Sequence, residues 1–228
     1  PMKKIILGIE RLLQEKELQD QLLDKRLALV AHPASVTSEL QHSLDALIQG
    51  TPLKVVKAFG PQHGMRGEKQ DNMIESEDYV DPVHQIPVHS LYGEVRRPTP
   101  KMLDGVDVVL FDLQDVGCRI YTYLTTLIYL MEDLNALSGK ELWVLDRPNP
   151  AGRPVEGQIL DMKFESFVGA AEVPMRHGLT LGEMALWYKE HKGLQLPLKV
   201  VQMKNYFHLL FMDSLLFLCL VHQLFIII

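Results

Sequence analysis

The stretch VDVVLFDLQDVG (106–117) constrains the chain more than any other. Its core is nearly continuous in Val, Leu and Phe, the mark of a strand covered on both faces in a parallel sheet. Similar apolar runs stand at RLALVAHP (26–33), LKVVKAFG (53–60), IPVHSLYG (86–93), ELWVLDRPNP (141–150) and LKVVQMK (198–204). Helical patterns fill the gaps: 9–24, 38–48, a short proline-led turn at 98–105, a long helix over 120–137 closed by Gly139, and 180–191. Ser35, Thr37 and Ser38 are the candidate N-caps of the second of these. Strand alternating with helix predicts an α/β fold: a doubly wound, largely parallel sheet with helices on both faces.

Composition then narrows the function. With 228 residues, 47% hydrophobic and 23% charged, the chain has material for one substantial core. A net charge of −6 lacks the basic face that nucleic acid requires, so no nucleic-acid partner is expected. Two cysteines, Cys118 and Cys219, supply neither a disulfide framework nor a zinc cluster, and Cys118 reads as a small buried residue. No G-x-G-x-x-G follows the first strand, and no Walker loop, H-x-x-x-H pair or G-x-S-x-G elbow occurs. No metal or cofactor is expected.

Polar groups gather where the strands end, and in open α/β sheets ligands bind at the carboxyl edge. The opening of that edge is AFGPQHGMRGE (58–68), in which three glycines and a proline bend the chain around Gln62, His63, Arg66 and Glu68. His32 follows the first strand; Asp112, Gln114, Asp115 and Arg119 end or follow the apolar run that begins at Val106; Asp146, Arg147 and Asn149 follow the next strand; Arg176 and His177 precede a helix. A parallel sheet brings all of these to one rim. Each also has a structural reading. Asp112 and Asp115 suit helix capping as well as a site, and Asp146 with Arg147 suits an ion pair that holds a loop. His177 suits packing or an anionic ligand, lone His32 suits packing, and Glu156 suits a solvated loop.

In order along the chain stand FGPQHGMRG, SLYG with RRPTPKML, DVVLFDLQDVGCRIYTY, LDRPNP with VEGQILD, and SFVG followed by VPMRHGLTLGE. Together, over about residues 8–205, they resemble the exo-β-N-acetylmuramidases of peptidoglycan recycling. The resemblance implies a Rossmann-like N-terminal domain (1–205 here), a smaller C-terminal domain, and a site in the cleft between them. It implies release of N-acetylmuramic acid from the non-reducing end of glycan fragments. Such chemistry needs a proton donor for the leaving oxygen. The family usually reads Pro-Glu-His-Gly where this chain has Pro61-Gln62-His63-Gly64, so the implied acid is an amide here. An amide orients a sugar oxygen but donates no proton near neutral pH. Glu68 is the substitute nearest in sequence, Glu156 is the implied partner carboxylate, and charge complementarity assigns Arg176 and His177 to the lactyl carboxylate. The expectation is an impaired glycoside hydrolase, with a non-catalytic muropeptide- or sugar-binding domain as the alternative.

From Phe207 the text turns abruptly apolar, FHLLFMDSLLFLCLVHQLFIII, where the family would continue into its second domain. A membrane span, a buried helix and a tail foreign to the fold all suit its composition. The last is preferred, because His208, Asp213 and His222 interrupt the run and no basic anchor follows; residues 206–228 are read as an aberrant tail, and membrane association is not expected. Lys3 and Lys4 precede an apolar run stopped at Gly8-Ile9-Glu10-Arg11, too early for an export signal. The resemblance places the protein in the periplasm or outside the cell; the absence of a visible signal leaves the cytoplasm as the alternative.

Overall fold

A computed structural model describes residues 3–62, 64–66 and 78–207. His63, Glu68 and the tail from residue 208 onward lie outside these residues. The elements run α1 (Gly8–Gln14), α2 (Lys16–Asp20), β1 (Arg26–Ala31), α3 (Ser43–Gly50), β2 (Lys54–Gly60), β3 (Tyr79–Val80), β4 (Pro87–Ser90), β5 (Val108–Asp112), α4 (Thr122–Asn135), β6 (Glu141–Leu145), α5 (Leu181–Lys192) and β7 (Leu198–Val201). They build one sheet in the order β3-β4-β2-β1-β5-β6-β7, parallel throughout except for β3 on the edge. Counting only the parallel strands, the order is 3-2-1-4-5-6, the doubly wound Rossmann-like arrangement. Its direction of winding reverses between β1 and β5, the position at whose carboxyl edge open α/β sheets bind ligands.

Both faces of the sheet are covered, and the period of two along each strand sorts the side chains. Leu27, Leu29, Val108, Leu110, Trp143 and Leu145 pack beneath α1, α2 and α3. Ala28, Val30, Val109, Phe111, Leu142 and Val144 pack beneath α4 and α5. The five residues of β5 are all buried, which accounts for its unbroken apolar text.

Four local features depart from the sequence reading. The 9–24 helix breaks at Glu15, whose carboxylate is held by Arg11 at 2.8 Å and Lys204 at 2.6 Å; the break lets Leu18 and Leu22 turn onto the sheet. Residues 38–42 are not helical: α3 begins at Ser43 and is capped by the His42 ring, because the expected caps work elsewhere. Ser35 Oγ accepts from His32 N, and Thr37 Oγ1 accepts from the amides of Glu39 and Gln41. The proline-led segment 98–105 forms turns rather than a helix, and the third strand contracts to Pro87–Ser90 with the unforeseen β3 antiparallel to it. Among the described residues no helix is long and apolar enough to cross a membrane.

Candidate functional site

The first loop of the site is bent by Gly60. A β-carbon there would stand 2.7 Å from Met65 N, so only glycine lets residues 61–66 fold back over the end of β2. Gly64 N donates to Pro61 O at 3.0 Å, and the His42 ring ties the loop down. His42 Nδ1 accepts from Leu44 N, so Nε2 carries the proton, and that nitrogen lies 3.1 Å from both His32 O and Met65 O. Burial holds this imidazole below its ordinary pKa, which keeps it neutral for the task. Gln62 is thereby set at the rim, half-buried, with its Oε1 accepting from Thr122 Oγ1 at 3.2 Å.

From Thr122, at the start of α4, a series of groups runs along this edge. Tyr123 presents its ring edge to His32 at 5.0 Å between centroids, and Tyr121 meets Tyr123 edge-on at 4.8 Å. Burial, then the Asp115 charge, pushes the Tyr121 phenol up to about 12. Asp115 Oδ2 accepts from Gly117 N at 2.7 Å and stands 3.7 Å from His177 Nε2. His177 Nδ1 accepts from Leu179 N, so Nε2–H is the edge turned toward the carboxylate. Asp115 Oδ1 and His177 Nε2 are both buried without a hydrogen-bond partner among the described residues. Leaving such atoms orphaned costs about 1–3 kcal/mol each, a cost that natural sites bear where a ligand or water supplies the partner.

Other candidates form the frame around that line. Asp112 and Arg147, with side chains 0% and 2% exposed, make a bidentate pair at 2.6 and 3.0 Å. Ser43 Oγ donates to the same carboxylate, and Arg147 Nη2 reaches Val36 O at 3.0 Å. The pair bolts β5, β6, α3 and the loop after β1 together. Gln114 Nε2 donates to Asp115 O and Pro148 O, and Asn149 folds its own loop by accepting from the amides of Ala151 and Gly152. Asp146 caps α5, accepting from Thr180 Oγ1 at 2.8 Å and Gly182 N at 2.9 Å; burial raises it to about 6. It also lines a cleft of about 190 Å³ with Glu183 and Tyr206.

The arginines are largely employed within the protein. Arg66 grips Asp81 at 2.6 Å and Asp45 at 2.8 and 3.0 Å, on the α3 side of its loop. Arg119 Nη1 donates to Gln158 O and Val173 O. Arg176 pairs with Glu156 at 2.8 Å and donates to Ala151 O, while their backbones form an antiparallel bridge. Glu156 is exposed and engaged by Arg176 rather than by any described group of the Gln62 loop. Cys118 is half-buried, its sulfur 3.5 Å from that of Met175. The structure thus brings together Gln62, His32, Asp115 and His177 and adds Thr122, Tyr121, Tyr123 and His42, which sequence reasoning missed. The Y-T-Y at the start of the helix that follows β5 was the available signal for three of them; nothing marks His42.

No group of three or more metal-ligating side chains occurs among the described residues. A separate cleft of about 610 Å³ lies between α1 and the loop over 37–41, and its Glu10 carboxylate is already occupied by Leu7 N and Ser38 N.

Comparison with known proteins places this geometry. The chain is 42% identical over 204 residues to the peptidoglycan β-N-acetylmuramidase NamZ of Bacillus subtilis (strain 168), a match that takes in 89% of this chain and 48% of that protein. Two crystal structures of DUF1343 family proteins from Bacteroides fragilis NCTC 9343 superpose on it. One does so with a TM-score of 0.82 at 36% identity, over 92% of this chain and 53% of its own. The other gives 0.77 at 33% identity, over 91% and 54%. The chain therefore spans about half the length of the relatives it matches. Residues 27–217 match the family described as exo-β-N-acetylmuramidase NamZ, N-terminal, and the chain belongs to that family through this domain.

Proposed function

We propose that this chain provides the saccharide site of an exo-acting glycoside hydrolase that releases N-acetylmuramic acid from the non-reducing end of peptidoglycan fragments, in cell-wall recycling in the periplasm or outside the cell. The observation that carries the reading is the line Gln62–Thr122–Tyr123–Asp115–His177 across the winding reversal, in a chain of the muramidase family. Planar amide, carboxylate, imidazole and phenol groups are what a ring of sugar hydroxyls needs for directed hydrogen bonds.

The same line weakens the chemistry. Gln62 Oε1 is taken by the Thr122 hydroxyl, which leaves its NH₂ to donate to a sugar oxygen. That amide aligns the glycosidic bond but cannot protonate the departing alcohol, and loss of a general acid commonly costs about 10²–10⁴ in rate. Activity in this chain is accordingly low. The test compares release from a chromogenic N-acetylmuramide by the parent and by Gln62→Glu. Release at least about 10²-fold faster from Gln62→Glu is the expected result. Binding without release from either protein would reject the hydrolase and leave the non-catalytic sugar-binding domain; absence of binding would reject the saccharide site itself.

A further inference from the structure

One arginine has no hydrogen bond or ion pair among the described residues. Arg96 has no carboxylate or hydrogen-bond acceptor among the described residues, whereas every other arginine donates to a carboxylate or a carbonyl there. Its neighbour Arg97 takes the available acids, Glu132 at 2.8 Å and Asp133 at 3.1 Å, and lies over the Tyr129 ring at 3.8 Å. Arg96 is instead seated on aromatics: its guanidinium carbon lies 3.8 Å from the Tyr92 centroid, with the Phe167 centroid to one side at 4.7 Å. Tyr92 and Tyr129 each stand 6.0 Å from Phe167, so the rings form one connected platform.

Stacking fixes the plane of a guanidinium without consuming its N–H groups. A fork held in that way is pre-organised for a bidentate carboxylate, because little side-chain freedom remains to be lost. The platform also adjoins the saccharide line. Leu91 N donates to Gly60 O at 2.8 Å, which seats Tyr92 beside the loop that carries Gln62. Tyr129 follows Thr122 by two turns of α4, about 10 Å along one helix face, and Thr122 is the residue that holds Gln62. That separation is of the order of a saccharide unit or two.

We infer that Arg96, held against Tyr92 with Phe167 beside it, is a carboxylate-binding subsite of the glycan groove. This inference rests on the proposed saccharide site and assigns to Arg96 the role that charge complementarity alone gave to Arg176, whose guanidinium is occupied by Glu156. Peptidoglycan fragments carry such a carboxylate on the lactyl ether or at the end of a stem peptide.

The experiment is calorimetric titration of the full chain with N-acetylmuramic acid, its lactyl methyl ester and N-acetylmuramyl dipeptide, repeated with Arg96→Gln and Arg96→Lys after their folding is checked by circular dichroism. We expect the parent to bind at least one carboxylate ligand about tenfold more tightly than the ester, or about 1.4 kcal/mol. Arg96→Gln abolishes that preference and leaves ester affinity unchanged, and Arg96→Lys retains part of it. Preference for the free acid identifies the lactyl group; preference for the dipeptide identifies the stem. Equal affinities for all three ligands, unmoved by Arg96→Gln, overturn the subsite and leave the saccharide site standing. If none binds the parent, the saccharide reading fails and the subsite falls with it.

Discussion

Replacing Arg147 by methionine tests whether the Asp112–Arg147 pair is a bolt or a hand for substrate. The substitution removes two charge-assisted hydrogen bonds, at 2.6 and 3.0 Å, from a carboxylate with no exposure. It leaves that carboxylate with the Ser43 hydroxyl alone, and Val36 O loses its donor as well. An unpaired buried charge of this kind costs about 3–5 kcal/mol. In a domain of this size each kcal/mol moves Tm by about 2–4 °C, so a fall of roughly 6–20 °C follows. The double variant Asp112→Leu/Arg147→Met removes both charges together and should return to within about 2 kcal/mol of the parent, since an apolar pair needs no solvation. Urea unfolding followed by the fluorescence of Trp143, buried in the sheet beside the pair's strand, reads both. A single-variant cost below about 1 kcal/mol, or costs of the two single variants that merely add, would refute the bolt. Intact stability with saccharide binding abolished would make Arg147 a ligand contact instead.

Two further outcomes follow from the same frame. Gly117 has φ +80°, and a β-carbon there would lie 2.0 Å from Asn149 Oδ1; Gly117→Ala therefore costs about 1–2 kcal/mol in backbone strain and more from displacing Asn149, measured as a lowered urea midpoint. Asp146 titrates near 6 in the folded protein against 3.8 ordinarily, so the fold favours its protonated form, and the stability this lends is complete below pH 4 and lost as pH rises through 6. The loss amounts to about 3 kcal/mol; Asp146→Asn should flatten thermal stability between pH 4 and 7, and an unchanged slope would show that another group governs it. Asp45, held at about 2 by Arg66, acts in the opposite sense and only in stronger acid, outside that window.

The parallel strands were legible because each carries its own signal, whereas the two-residue β3 carries none. Both faces of β5 are buried, so its text is apolar without alternation, and a largely parallel sheet follows from the alternation of elements. Cap residues were not, because a serine near a helix start has several possible partners. Ser35 looks like a cap but serves His32 and Asp112, and helix α3 takes an imidazole cap that local sequence does not suggest. The arginines show the same gap at longer range. Arg66, Arg119 and Arg176 stand at the correct edge in the correct motifs, yet their partners arrive from 15 to 54 residues away. Only the fold decides which cation is consumed by the protein and which remains for a ligand. Motif position therefore located the carboxyl edge of the sheet but not the division of labour among the side chains there.

That division bears on what an amide at position 62 costs. Among the described residues nothing in the frame depends on the side chain of Gln62: its loop is bent by Gly60, pinned by His42 and closed by the Gly64–Pro61 hydrogen bond. The single described contact of Gln62, from the Thr122 hydroxyl to Oε1, is one that a glutamate would accept equally well. Under the proposed function, an amide here removes a transferable proton and leaves the described scaffold of the loop intact, so chemistry and fold are separable at this position. The contact also has a direction. A hydroxyl donating to a carboxylate favours its ionised form and lowers its pKa, whereas a general acid must hold its proton until the glycosidic oxygen arrives. For a glutamate at position 62 to serve as acid, bound sugar has to exclude water and raise the carboxyl by burial, or draw the Thr122 hydroxyl away to a hydroxyl of its own. In the absence of sugar, Thr122 would keep such a residue ionised and idle.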